Sequence, residues 1–425
     1  MAAQNSNSFE LVTKIAKQIL PILEESRAIA GKVNNDMDLI QEQVDGSGGG
    51  KTGGTLKILK PKQFTVRSGS TRSNQDLTDQ YTSVPAPTLK GIDFAISDTQ
   101  KSKDFNFIIR NILQPATARL ASQIDVDIMA NYTKLPNIVG LPGTDPNAFS
   151  YMTNAERRLF ELNCPLEDRT LVLSPGANEG MSDAMKGLFD AELTRDAVRR
   201  GELGTLSTMA VMRSNNVPTH LTGTYTTGST PLMSATPASG AKTFTTDGWA
   251  NSTLCLKAGD TFTVAGRFEV NPHTKESTGV LKRFTSQADV TSNGSGVATI
   301  TVCESDDSVG IVPSGQYQNV ASAVTDNDVI VVNGANAGLA GAMTEATTYS
   351  QSVAFHKNAF WSGFFPLPEA TAGAVSSVQT NPDTGVSVRV IEQYDITEAE
   401  SRYRLDVYHT SDVLMPECGV RLIGA

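Results

Sequence analysis

The sequence predicts an α+β protein whose two-part body is interrupted by an inserted β domain. Helical patterns dominate residues 8–200, and strand patterns rich in threonine, serine and glycine follow at about 223–350. A short strand-rich tail then closes the chain. No recognisable cluster of catalytic residue types interrupts this order, which favours a structural building block over an enzyme.

Length and charge limit the protein classes that fit. The 425 residues suffice for two or three domains with a buried core. A net charge of -10 excludes a nucleic-acid-binding protein of the usual basic kind. The first residues lack the pattern of a signal peptide, and no apolar run approaches the ~20 residues that span a bilayer. Intracellular synthesis and no membrane contact are therefore expected.

The N-terminal segment has the pattern of an amphipathic helix. Asn7 and Glu10 resemble a capping pair. Apolar residues then recur at helical spacing: Phe9, Val12, Ile15, Ala16, Ile19 and Leu23. We predict a helix over about 8–29, kinked at Pro21 because proline removes a backbone hydrogen bond. The apolar face packs either on its own domain or on a neighbouring subunit, and the sequence leaves both open.

A glycine-rich run at 46–55 predicts a flexible hinge, and two strand-like runs follow it. TLKILKP (55–61) and KQFTVRS (62–68) alternate as strands do. Their basic residues fall on one face: Lys57, Lys60, Lys62 and Arg67. A lone two-stranded ribbon is marginal in water, so we expect a projecting hairpin that lies against another surface.

The rest of the first half alternates helix and strand patterns. We predict a long helix at about 104–132 that starts or restarts near Pro115. Thr153 and Glu156 form a capping box for a helix at about 154–163. The remaining predicted elements are helices at about 178–188 and 191–200 and strands at 169–174 and 208–214.

From about residue 223 the helical periodicity disappears. Alternating runs occur at 261–270, 296–303 and 328–334, separated by Asn-Gly turn signals. This pattern predicts a small antiparallel barrel or sandwich. Three later runs, at 352–368, 386–395 and 403–409, are expected to complete the sheet begun by the N-terminal half.

Candidate binding motifs are incomplete. Gly50-Lys51-Thr52 suggests a phosphate-binding loop, but position 45, where the motif needs glycine, is aspartate. A flexible hinge is the better interpretation. No GxSxG nucleophile elbow occurs, although a triad assembled from distant residues stays open.

Metal and disulfide patterns are also missing. The histidines lack ligand spacing (His220, His273, His356 and His409). The acidic clusters at 304–307 and 326–328 lack the remainder of a calcium loop. The cysteines are scattered and are expected to be buried reduced thiols: Cys164, Cys255, Cys303 and Cys418. We expect no metal and no cofactor.

The order of parts resembles the major capsid (coat) proteins of tailed bacteriophages, which share the Hong Kong 97-type fold. ILQPATARLASQIDVDIMANY (112–132) is similar to their spine helix, and TMAVMRSNNVP (208–218) resembles a strand that precedes an Asn-Val-Pro turn. LKAGDTFTVAG (256–266) is similar to a phrase in the inserted domain of Salmonella phage P22-type coat proteins. Residues 388–424 resemble the closing strands of that family.

The resemblance implies a division of the chain into six parts. They are an N-terminal arm (1–49), an extended loop (50–92), a peripheral domain with the spine helix (93–135), an axial domain (136–222), an inserted antiparallel β-barrel domain (223–350), and return strands of the axial and peripheral domains (351–425).

The resemblance also implies the function. Copies of the chain would assemble as pentamers and hexamers into an icosahedral head around double-stranded DNA, which is bound without sequence specificity. A scaffolding protein would direct a precursor shell in the bacterial cytoplasm, a portal protein would join it, and the shell would become the virion capsid. Lys57, Lys60, Lys62 and Arg67 are then the candidate subunit contacts.

Two other classes remain open at this point. The threonine-rich region also suits a β-rich tail-fibre or surface adhesin, which would lack the N-terminal helices. A hydrolase with a dispersed triad would need a nucleophile in a deep pocket.

Overall fold

The computed structural model describes most of the chain in two compact units. The described residues are 6–37, 40–43, 56–72, 74–75, 80–97, 109–140, 143, 145–184, 204–225, 229–302, 310–332, 346–370, 374–382 and 384–423. Unit 1 comprises Met1–Lys57, Val84–Ile128 and Phe360–Asp412, and unit 2 comprises Ile58–Ser83, Met129–Ala359 and Val413–Ala425. The predicted hinge at 46–55 and helix at 191–200 lie outside the described residues. No helix in the described part is long and apolar enough to cross a membrane.

Helices and strands are mixed along the chain, which confirms the α+β class. The helices are α1 Ser6–Ser26, α2 Gln114–Ala130, α3 Phe149–Glu161 and α4 Pro175–Ala184. A π-helical turn, Ile109–Leu113, precedes α2. Short 3-10 helices occur at Asn131–Lys134, Lys357–Ala359 and Pro416–Cys418.

The described strands are numbered in chain order. They are β1 Ile40–Gln43, β2 Leu56–Leu59, β3 Tyr81–Val84, β4 Thr88–Ser97, β5 Asn137–Val139, β6 Arg169–Leu173, β7 Thr205–Leu206, β8 Met209–Arg213, β9 Thr219–Leu221, β10 Leu232–Met233, β11 Thr243–Asp247, β12 Leu254–Leu256, β13 Thr261–Val270, β14 Ser277–Thr285, β15 Val290–Thr291, β16 Ala298–Thr301, β17 Ile330–Val332, β18 Thr348–Ser350, β19 Ser352–His356, β20 Phe360–Phe365, β21 Val375–Thr380, β22 Ser387–Asp395, β23 Glu400–Val413 and β24 Gly419–Leu422.

Unit 1 is a helix-covered sheet. Its strands run in the order β20-β23-β22-β21, with β4 also paired to β23. Helix α1 continues through Pro21 and packs on β21 and β22. The buried face of α1 consists of residues named by the helical pattern: Val12, Ile15, Ala16, Ile19 and Leu23. The face that the sequence left unassigned therefore packs on its own domain.

Helix α2 begins where the sequence predicted a restart. Pro115 is its second residue and directly follows the π-helical turn, so the proline stands where the helical geometry changes. Leu120, Ile124 and Ile128 step by four and are buried, as predicted. Asp125, also buried, accepts hydrogen bonds from the backbone N–H groups that follow α1, at Ala28 (3.2 Å) and Ala30 (2.9 Å).

Unit 2 contains a six-stranded mixed sheet in the order β5-β24-β19-β6-β8-β7. Strand β24 is parallel to β5 and antiparallel to β19, and β6 is parallel to β8. The strands β19 and β24 come from the tail, whereas β5, β6 and β8 come from the first half. The tail thus completes the sheet begun before the insertion, as the sequence predicted.

The region at 223–350 is entered and left through the antiparallel pair β9–β18. Its described strands form three antiparallel sheets, β10-β11-β16, β12-β15 and β14-β13-β17, around a core with three stacked or edge-on rings: Phe244, Phe262 and Phe284. Bulges interrupt the β12–β15 and β13–β14 pairings. A bridge between Leu232 and Val329 links the β10 edge of the first sheet to the β17 edge of the third, and the pairings among the described strands do not close the predicted barrel.

The predicted capping box at Thr153 is wrong. Helix α3 begins earlier, at Phe149, because Met152 continues the buried apolar stripe toward the N-terminus. Thr153 lies inside the first turns, where its hydroxyl donates to the carbonyl of Ser150 (3.0 Å). Glu156 instead accepts from the Thr208 hydroxyl (3.0 Å).

The cysteine prediction is wrong for two of the four residues. Cys164, just after α3, and Cys418, just before β24, form a disulfide across a sequence separation of 254. Such a pairing between distant residues leaves no local spacing signal. Cys255 is a buried thiol, as predicted, and Cys303 lies outside the described residues.

Candidate functional site

The candidate contact residues lie in one surface segment. We define the basic loop as residues 56–75, of which 73 lies outside the described residues. The segment carries five basic residues and no acidic residue: Lys57, Lys60, Lys62, Arg67 and Arg72. This concentration of positive charge contrasts with the net charge of -10 for the whole chain.

The first half of the basic loop is the predicted strand. In β2, Leu56 and Ile58 are buried, whereas Lys57 is half-buried on the opposite face. Just after the strand, the backbone N–H of Lys60 donates to the carbonyl of Gln80 (2.8 Å). The side chain of Lys60 is also half-buried.

The second predicted strand, at 62–68, is absent from the structure. Pro61 has no N–H to donate, and the neighbouring strand β3 begins only at Tyr81. Gln75 takes the place of a strand partner, because its side-chain amide bonds the backbone N–H (2.8 Å) and the carbonyl of Thr65. Lys62 and Arg67 are exposed on this irregular segment. The expected single basic face is therefore wrong.

The tip of the basic loop combines charge with exposed apolar groups. Val66 is 99% exposed and Phe64 is 60% exposed. The Arg67 guanidinium donates to the carbonyls of Gly69 (2.5 Å) and Thr71 (2.8 Å), which shapes the turn. Large exposed apolar side chains beside cations are typical of a surface that binds another protein.

A second exposed surface carries the opposite charge. We define the acidic tip as residues 394–402, the connection between β22 and β23. It holds three carboxylates and one guanidinium: Asp395, Glu398, Glu400 and Arg402. Here too an apolar side chain stands in solvent, because Ile396 is 86% exposed.

Local hydrogen bonds fix the shape of the acidic tip. Asp395 accepts from the backbone N–H of Thr397 (2.9 Å), and Arg402 bonds Asp395 (3.0 Å) and Glu400 (3.0 Å). The bond from Thr397 is the main reason that the pKa of Asp395 lies below its usual value. The acidic tip therefore presents its carboxylates on a preformed turn.

Unit 2 also contains buried polar groups that resemble parts of a catalytic relay. His220 contacts Asp260 through Nε2 (2.8 Å) and Tyr132 through Nδ1 (2.9 Å). Asp260 also accepts from the backbone N–H groups of Gly223 (2.9 Å) and Lys257 (2.7 Å). Asp260 thereby joins the entry of the inserted region to the start of β13. Both ring nitrogens of His220 are engaged by Tyr132 and Asp260, and no hydrogen bond joins this histidine to a serine or a cysteine in the described part of the chain.

A second buried group holds opposite charges, and we call it the ion cluster: Arg158, Glu269, Lys282 and Arg283. Glu269 bonds Arg158 and also Lys282, at 2.8 Å. Burial alone raises the pKa of Glu269, but Lys282 and Arg158 together hold it below its usual value. Burial, with Arg158 nearby, lowers the pKa of Arg283 to about 10. The cluster ties α3 to the β13–β14 hairpin.

Unit 1 contains a serine–histidine pair. Ser362 Oγ lies 3.0 Å from His409 Nε2, and neither residue exceeds 1% exposure. Burial lowers the pKa of His409 to about 4, so the ring is neutral at physiological pH. A buried pair offers no access to a substrate, which favours packing as its role.

No group of metal-binding side chains occurs within the residues that the structure describes. His220 and His409 bond the partners given above, and His273 is exposed. The carboxylate of Asp328 is paired with Arg267 (2.6 Å).

Sequence reasoning missed the apolar part of the basic loop and the whole acidic tip. Phe64 and Val66 alternate with polar residues, and this alternation led to the prediction of a strand. The acidic tip did carry a signal, because DITEAE interrupts two good strand patterns. The buried groups gave none, since Arg158 and Glu269 are 111 residues apart.

One comparison with known proteins identifies a family for this chain. The family model for "P22 coat protein - gene protein 5" matches residues 1–424. No curated protein matches the chain. Similar solved structures include one from Mycobacterium phage Che8 (13% identity, TM-score 0.43, 93% of this chain and 90% of that chain) and the capsid structure of cyanophage P-SCSP1u (11%, 0.39, 91% and 86%). The family match alone carries the assignment, because these TM-scores are below 0.5.

Proposed function

The chain belongs to the P22 coat protein family and is a bacteriophage major capsid protein that forms the icosahedral head, and we propose that its basic loop joins neighbouring copies in that head. The observation that carries the proposal is the coincidence of five cations and two exposed apolar side chains in one segment, the basic loop. Charged loops of this kind contribute little to folding but steer and orient association.

The surface that fits the basic loop best is the acidic tip of the next copy. The opposite net charges of the basic loop and the acidic tip favour their association. Each segment also presents exposed apolar side chains among its charged residues. Val66 and Ile396 are the two most exposed large apolar residues among those described, at 99% and 86%. Burying such a pair between subunits adds apolar stabilisation to the electrostatic attraction.

Charge reversal tests the basic loop. Changing Lys57, Lys60, Lys62 and Arg67 to Glu should leave the subunit folded and abolish or weaken shell assembly, since each acidic neighbour would then repel it. Shells are scored by sedimentation and negative-stain imaging after co-expression with the scaffolding protein. Lys32→Glu, another exposed lysine, is the matched control and should assemble. If the quadruple variant forms shells of normal stability across a range of salt concentrations, the basic loop is not an electrostatic contact between subunits.

Charge exchange tests the choice of partner. Glu398→Lys in the acidic tip should weaken assembly, and combining it with Lys62→Glu should restore part of it. Restoration specific to this combination supports contact between the two segments. If neither change affects the other, the basic loop binds a different acidic surface.

The rest of the proposal follows the family resemblance. The chain adopts the Hong Kong 97-type arrangement, with α1 in the N-terminal arm, residues 50–92 as the extended loop, α2 as the spine helix, and 223–350 as the inserted domain. Scaffolding and portal proteins are partners during assembly in the host cytoplasm, and the head encloses double-stranded DNA without sequence-specific binding. The subunit acts structurally and is not an enzyme.

Assembly itself is the first expectation of this proposal. With its scaffolding protein at micromolar concentration, the chain should sediment as closed shells or precursor shells. Sedimentation as monomer alone under these conditions would count against the role. Fibres in negative-stain images would favour the tail-fibre alternative instead.

A further inference from the structure

The disulfide of unit 2 joins two segments that flank the closing strand of the sheet. Cys164 follows α3, and Cys418 ends the Pro416–Cys418 turn immediately before β24. Strand β24 lies between β19 and β5, so both of its edges are paired. Its side chains are buried, with Val420 and Leu422 at 0% exposure. The sheet therefore stays incomplete until this late segment is in place.

Non-covalent contacts hold both cysteines in position. The Arg169 guanidinium donates to the carbonyls of Cys164 (2.6 Å) and Pro165 (2.7 Å). On the other side, the Asn137 amide donates to the carbonyl of Gly419 (3.3 Å). The Cα atoms of the two cysteines lie 5.6 Å apart, a separation that suits either a disulfide or two thiols.

The close packing near Cys418 depends on a glycine. A Cβ atom at Gly419 would lie 2.6 Å from the buried Leu135 side chain, so any larger residue here would displace that side chain. This approach, with the bonds from Arg169 and Asn137, fixes the cysteine pair without the S–S bond.

We propose that the Cys164–Cys418 disulfide is a redox-sensitive lock on β24. The reduced chain folds and completes the sheet, and oxidation afterwards fixes the closing strand covalently. The bond also closes a ring that contains the entire inserted region. Because both cysteines are buried, at 4% and 7% exposure, the bond exchanges only when the turn before β24 opens.

The oxidant is a small-molecule disulfide. One cysteine thiolate attacks a sulfur of that disulfide, which forms a mixed disulfide and releases the first small thiol. The second cysteine thiolate attacks the protein-side sulfur, which forms the protein disulfide and releases the second small thiol. The protein loses two protons and two electrons, and the small disulfide is reduced to two thiols.

Thiol titration and thermal unfolding of the full chain test the lock. After treatment with glutathione disulfide, titration in denaturant should find two of the four thiols, and after dithiothreitol it should find all four. The oxidised form should melt roughly 5–15 °C above the reduced form, since the bond closes a long loop. Equal melting temperatures, or four thiols after oxidation, would overturn the proposal.

Hydrogen exchange locates the effect. The amides of Val420 and Leu422 should exchange faster in the reduced chain, whereas those of β13 should change little. A chain with both Cys164→Ala and Cys418→Ala should behave as the reduced form does and lose its response to dithiothreitol. Cys255→Ala is the matched control and should keep the response. If the double variant still responds to dithiothreitol, the response does not come from the Cys164–Cys418 disulfide, and the proposal is wrong.

Discussion

The basic loop and the ion cluster place the same kinds of side chain in opposite surroundings. In the loop, Lys62 and Arg67 stand in solvent without acidic residues in their own segment. In the ion cluster, Arg158 is 3% exposed and bonds Glu269, which has two cationic partners. Solvent screens the charges of the first set, so they add little to folding, and by our proposal they contact another subunit.

In the ion cluster, burial makes the charged side chains important for folding. A charge removed from water is costly unless it is paired, so each member of the ion cluster depends on the others. The cluster joins α3, in the body of unit 2, to the hairpin of the inserted region. Buried charges in this protein therefore hold elements of one subunit together. Exposed charges, by our proposal, hold different subunits together.

Removing the centre of the ion cluster should produce the largest effect. Glu269→Ala leaves the buried Arg158 and the half-buried Lys282 without their shared carboxylate, and we expect a loss of about 3–5 kcal/mol in the free energy of unfolding. Chemical denaturation of the unassembled subunit measures the loss. Asp93→Ala breaks an exposed pair with Arg404 (3.8 Å) and should cost less than ~1 kcal/mol. Equal losses would remove the distinction between buried and exposed charge.

Acidification should weaken unit 1 through a buried neutral side chain. Burial lowers the pKa of His409 from its ordinary value of 6.5 to about 4 in the folded chain, so the unfolded chain binds more protons between these values. The stability that depends on a neutral His409 is fully present above about pH 6.5. The free energy of unfolding then decreases progressively as the pH falls toward 4. The shift corresponds to about 3 kcal/mol.

Unfolding free energies measured from pH 7 to pH 4 test this expectation. His409→Gln should flatten the profile in that interval, whatever its effect at pH 7. His273→Gln, at an exposed histidine, should leave the slope unchanged. A steep profile in His409→Gln would assign the acid sensitivity to other groups.

Elements with local patterns were predictable from the sequence, and contacts between distant residues were not. The run 261–270 became β13 with the same ends, because alternation and local turns specify a hairpin strand. The run 62–68 alternates similarly but forms no strand. Pro61 lacks a backbone N–H, and β3 begins too late in the chain to pair with this run. Strand formation needs both pattern and pairing, and only the pattern is visible in one segment.

The candidate site divides in the same way. Lys57, Lys60, Lys62 and Arg67 were named from their sequence, and their role as contacts stays a prediction. The disulfide and the ion cluster could not be foreseen, because each joins residues more than 100 positions apart. Such pairings depend on the completed sheet rather than on local spacing.

The inserted region should fold alone, although with a weakened hairpin. Residues 223–350 contain their own aromatic core but exclude Arg158, which bonds Glu269 in the full chain. A lost bond to a charged group costs about 1.5–3 kcal/mol. We expect dispersed amide resonances from the fragment and faster hydrogen exchange near Glu269 than in the full chain. An undispersed spectrum would show that the boundary is misplaced.

The smallest expected effect concerns the basic loop itself. Reversing Lys57, Lys60, Lys62 and Arg67 should change the free energy of unfolding of the unassembled subunit by less than ~1 kcal/mol. The reason is that two of these side chains are exposed and two half-buried, with screened interactions.

The measurement uses chemical denaturation without scaffolding protein, at a concentration where the subunit is monomeric. An unchanged stability combined with failed assembly would show that these charges act between subunits. A loss of several kcal/mol would instead place the loop among the elements that hold the subunit together. Failed assembly would then reflect misfolding, and the contrast between the basic loop and the ion cluster would disappear.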